Sequence, residues 1–70
     1  MAKYKIEVGG LVTVVGGRLT VYRQRTIIVS ADSEEEAKEK AIDRFTQQIT
    51  SAPGWHVCGE GHVNSIEQLN

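Results

Sequence analysis

Seventy residues, with eight Lys or Arg against nine Asp or Glu and a single cysteine, describe one domain spanning 1–70 that has a thin core and no internal disulfide. The apolar share of 40% is too high for a disordered chain, and no stretch approaches the ~20 apolar residues of a membrane span. Met1-Ala2-Lys3-Tyr4 opens no secretory signal, so a soluble, cytoplasmic protein that does not engage the membrane is expected. The net charge of −1 hides an asymmetry. Residues 1–31 set Lys3, Lys5, Arg18, Arg23 and Arg25 against Glu7, whereas residues 32–70 set Lys38, Lys40 and Arg44 against eight carboxylates. The first half is mildly basic and the second acidic.

Residues 3–15 and 18–30 read as two strands joined at Gly16-Gly17, a dipeptide suited to the positive φ of a tight hairpin turn. Closing the hairpin there sets Tyr4 opposite Val29, Ile6 opposite Ile27, Val12 opposite Val21 and Val14 opposite Leu19, all on one face. The other face receives Lys3 with Ser30, Glu7 with Thr26, and Thr13 with Thr20. Gly9-Gly10 interrupts the first strand. It is either a bend in one long strand, which the clean sorting of the register favours, or a second turn that makes a three-stranded meander.

Asp32-Ser33 caps a helix whose first turn carries Glu34, Glu35 and Glu36, where the helix dipole favours acids. Ala37, Ala41, Phe45, Ile49 and Ala52 form its apolar stripe, with Ile42 beside it. Glu34 with Lys38 and Glu36 with Lys40 are i,i+4 pairs, and Pro53-Gly54 ends the helix. Trp55-His56-Val57-Cys58 is a short strand candidate, Gly59-Glu60-Gly61 a turn, and residues 62–69 a further strand or a frayed tail. The expected fold is α+β: an antiparallel sheet packed on one helix, in the order ββαβ or ββαββ.

Strands of this length reach ~43 Å, but a helix of ~18 residues spans only ~27 Å. The hairpin tip is therefore expected to overhang the helix, unless the C-terminal segment folds over it. Leu11, Val12, Val14, Leu19, Val21 and Tyr22 are the candidate partner-binding residues on that tip. Because a chain this short often adds core by association, a homo-oligomer such as a dimer is expected, together with a protein partner.

Other constellations are weaker. His56, Cys58, Glu60 and His62 are all metal-ligand types, but two-residue spacing on a strand separates them by ~6.6 Å and no second ligand pair completes a zinc site. Cys58 beside His56 or His62 could make a nucleophile pair, yet so small a chain leaves little room for a pocket and an oxyanion site. No catalytic residue, metal or cofactor is assigned, and the chain is not expected to be an enzyme. Arg18, Arg23 and Arg25, with Gln24 and Tyr22, form the alternative site: an Arg-bearing hairpin able to contact nucleic acid, opposed by the acidic helix. Arg23 and Arg25 fall on the otherwise apolar face and are expected to snorkel past the sheet edge or pair with helix acids. Trp55 reads more readily as a plug under the helix end than as a binding anchor.

The run from Arg25 to Ala41, Arg-Thr-Ile-Ile-Val-Ser-Ala-Asp-Ser-Glu-Glu-Glu-Ala-Lys-Glu-Lys-Ala, preceded by Tyr4-Lys-Ile-Glu-Val8, resembles small ββα accessory proteins of phages and conjugative elements, the DpnD/PcfM-like group. The likeness covers about the first 50 residues and carries over no catalytic residue. It implies a phage- or mobile-element-encoded protein that binds a host protein, for example as an inhibitor of a defence system. The chain is also similar, more faintly, to the arm-type DNA-binding domains of phage integrases, which place a three-stranded sheet before a helix.

Overall fold

The computed structural model describes residues 1–14 and 19–69. The turn expected at Gly16-Gly17, and Arg18 with it, lie outside the described residues. The order is ββαββ: β1 (Ala2–Thr13), β2 (Thr20–Ala31), α1 (Glu34–Thr50), β3 (His56–Val57) and β4 (His62–Gln68).

β1 and β2 pair antiparallel in the register that the hydrophobic pattern dictates, from Ala2 opposite Ala31 to Thr13 opposite Thr20. Val14 N donates to Leu19 O at 3.1 Å and carries the pairing one step further. β1 is the central strand. Its second edge takes β4 beside residues 4–9 and β3 beside Val12 and Thr13. The C-terminal segment thus widens the sheet, and β3 reaches the tip end of the hairpin beside Val12 and Thr13.

α1 covers one face of this sheet. Tyr4, Ile6, Val8 and Val12 from β1 and Ile27, Val29 and Ala31 from β2 meet Ala37, Ala41, Phe45 and Ile49 from the helix. The stripe follows the 3.6-residue period, and its small alanines lie where the helix starts. Ala52, expected to close the stripe, is exposed past the end of the helix.

Gly9-Gly10 lies within β1 without any shift against β2. β1 is thus one long strand, as the sorting of the register favours, and the meander is absent among the described residues. The Phe45 ring explains Gly10, because a Cβ there would stand 3.2 Å from Phe45 Cε2. Gly61 is the same kind of clearance: its Cβ would stand 2.9 Å from Phe45 Cδ2 and 3.2 Å from Val8 Cγ1.

The helix start is built as its sequence implies. Ser33 is the N-cap, and its Oγ accepts from Glu36 N at 3.2 Å. Glu36 in turn accepts from Asp32 N at 3.3 Å and pairs with Lys40 at 3.1 Å. The Lys40 ammonium, donating to its carboxylate, and then the Asp32 N–H hold the Glu36 carboxyl below its ordinary value. Ser33→Ala is expected to cost about 1 kcal/mol, read as a lowered urea midpoint with an unchanged slope.

Candidate functional site

Side-chain alternation puts Val21, Arg23 and Arg25 of β2, and Leu19 just ahead of it, on the face that α1 covers. The last turn of the helix meets Arg23 and Arg25 through Gln48 and Ile49. What remains under the hairpin is a notch of about 200 Å³ lined by Arg23, Arg25, Gln48, Ile49, Ala52 and Trp55. The Arg23 guanidinium lies over the Trp55 ring, 5.2 Å from its centroid. Arg25 Nη1 donates to Gln24 O at 3.0 Å.

Of the two arrangements expected for these arginines, pairing with helix acids does not occur among the described residues. Among the described residues the ion pairs are Lys38 with Glu34 and Lys40 with Glu36. Arg23, Arg25 and Arg44 have no carboxylate partner there. The reason is the helix wheel. At 100° per residue, Lys40, Arg44, Gln47, Gln48 and Ser51 share the flank toward β2, whereas Glu39 and Asp43 turn away from it. Arg44 confirms the placement by donating to Ile28 O at 3.1 Å. Arg44, Gln47, Gln48 and Ser51 line a shallower depression that adjoins the notch through Gln48. An acidic helix therefore presents a basic flank to the edge strand.

The tip residues divide. Leu11, Leu19 and Tyr22 are exposed, Leu19 at 57%. Val14 and Val21 are half-buried. Val12 is fully buried at 0% and leaves the candidate surface, because β3 pairs beside it and Val57 lies directly opposite. Trp55 packs against the core, as a plug at the helix end would, and its ring face carries the Arg23 guanidinium.

A second polar group stands on the open face of the sheet. Tyr22 crosses over Gly9, where a Cβ would stand 2.0 Å from its hydroxyl. Its Oη accepts from Asn64 Nδ2 at 2.8 Å and lies 3.4 Å from His62 Nε2. A bulge between Glu7 and Val8 leaves Asn64 as the extra residue in β4. Thr13 Oγ1 and Cys58 Sγ are in contact nearby. His56 lies in β3, Cys58 directly follows it, and His62 opens β4 beyond the glycine turn. Among the described residues, no group of three or more His, Cys, Asp or Glu converges on a point where an ion could sit. No helix of the described residues is long and apolar enough to cross a membrane.

Comparison with protein-family models, curated proteins and solved structures finds no match for this chain.

Proposed function

We propose that the chain is a non-catalytic interaction protein that binds a partner protein through the underside of its hairpin. The observation that carries this reading is the notch, where two guanidiniums and an indole face share a small cavity free of any carboxylate among the described residues. Arginine forks suit carboxylates, and the Trp55, Ile49 and Ala52 surfaces suit the apolar stem beside one. The half-buried Val21 and exposed Leu19 continue the same strip toward the tip. The partner segment is therefore one that alternates apolar and acidic side chains.

The same surface supports the expected protein partner better than it supports a hairpin reading the groove of a nucleic acid. Arg23 and Arg25 point under the hairpin toward α1 and do not project from its tip. Trp55 is the single tryptophan of the chain, so its fluorescence reports directly on the site. A capped peptide alternating glutamate and valine is expected to change that signal saturably and more weakly at high salt. Arg23→Ala and Arg25→Ala should each weaken binding by about tenfold. Absence of any response, or equal binding by both variants, would overturn the proposal. Tighter binding of a single-stranded oligonucleotide would replace it with the nucleic-acid reading, since an indole beside arginines also stacks bases.

A further inference from the structure

β2 pairs with β1 on one side only, and its other edge is free among the described residues. Val14 N to Leu19 O fixes the phase of the ladder. Odd-numbered residues of β2 bond to β1, so the N–H and C=O groups of Thr20, Tyr22, Gln24, Thr26, Ile28 and Ser30 point outward. An edge of this kind invites another strand unless it is blocked.

Half of it is blocked. Lys40 Nζ donates to Ser30 O at 2.9 Å and Arg44 Nη1 to Ile28 O at 3.1 Å, so two helix cations cap the end next to the helix start. Toward the tip the only cap among the described residues is Arg25, which holds Gln24 O with its own side chain. The outward groups of Thr20, Tyr22 and Thr26 have no partner within the chain among the described residues.

We infer that the stretch Thr20–Thr26 is a strand-docking edge, and that an extended acidic segment of a partner protein adds beside β2 there. The inference rests on the proposed function and specifies how the notch is occupied. Alternate side chains of the added strand project between β2 and the helix flank, where Arg23, Arg25 and Arg44 meet their carboxylates. A carboxylate that takes Arg25 also frees Gln24 O for the new ladder, so charge recognition and strand pairing occur together. The Arg44 bond at Ile28 O sets the far limit of the docked segment.

A second copy of the chain fits this edge poorly. Two-fold antiparallel pairing centred on Gln24, the middle of the open stretch, places each Arg23 opposite the other copy's Arg25. Like charges directly opposite one another disfavour a pairing. The charge pattern thus selects a foreign acidic strand over self-association.

The test uses a seven-residue capped peptide of alternating glutamate and valine, with two isomers N-methylated at its odd or its even positions. Backbone exchange by NMR and Trp55 fluorescence are followed together. On saturation the amides of Tyr22, Gln24 and Thr26 should gain protection while that of Ser30 does not change. One N-methyl isomer should bind about tenfold more weakly, having lost its ladder donors, and the other should bind like the parent. Equal binding of the two isomers, or a Trp55 response without edge protection, would overturn strand docking while the notch reading stands. Neither response nor protection would overturn both.

Discussion

Phe45→Ala is expected to remove most of the stability of this domain. The ring is fully buried at 0% exposure and fills the space between α1 and the sheet. Two of its neighbours there are Gly10 and Gly61, which have no side chains to move into the void. A site that cannot collapse lies toward the upper part of the range for such truncations, about 3–5 kcal/mol. A domain of this size has roughly 4–10 kcal/mol in total at the usual value per residue. Urea titration by circular dichroism should show a midpoint shifted far toward zero, or no folded baseline at all. Phe45→Leu, which keeps most of the volume, should retain a cooperative transition. An unshifted midpoint in the alanine variant would mean that the ring is not the plug between the layers.

A pair of aspartates should separate core from surface at the hairpin tip. Val12→Asp places a carboxylate where exposure is 0%, with Val21 and Val57 as its cross-strand neighbours. Burying an unpaired charge costs several kcal/mol, and the variant is expected to unfold or to recover a transition only at low pH, where the acid is neutral. Leu19→Asp alters a residue that is 57% exposed and should melt close to the parent. It should nevertheless weaken a peptide bound under the hairpin, since it adds a negative charge to a surface proposed to accept acids. Equal melting of the two variants would contradict the pairing of β3 beside Val12.

The hairpin, its register and the helix were legible because each is written in local periodicity: alternation in the strands, a three-to-four-residue stripe in the helix, and Ser33 at its cap. The burial of Val12 was not. It depends on Val57, which meets it across β3, and the length of the helix alone suggested an uncovered tip. In sequence terms the sorting of the register favours one long strand through Gly9-Gly10 over a turn, but it gives no reason for the glycines themselves. Their meaning lies on two faces at once, since Gly10 clears the Phe45 ring below and Gly9 clears Tyr22 above. The arginines were correctly placed on the helix-side face, but pairing them with acids required a helix orientation that only the packing decides. Tyr22, His62 and Asn64 come together through the bulge in β4, a one-residue irregularity with no sequence signature beyond the neighbouring glycines.

The central position of β1 has a consequence for the order of folding. One of its edges is completed by the next strand in the chain, but the other waits for residues 56–68, with Tyr4 finally opposite Gln68. The nearest-neighbour hairpin and helix can form early, while the last ladder closes a loop of almost the whole chain. Contacts so distant in sequence slow collapse to the native state, toward the range of roughly milliseconds to seconds that is typical of β-rich topologies. During synthesis, β1 therefore emerges with a flank that stays unpaired until residues 56–68 follow, and in that interval the nascent chain is prone to misassociation.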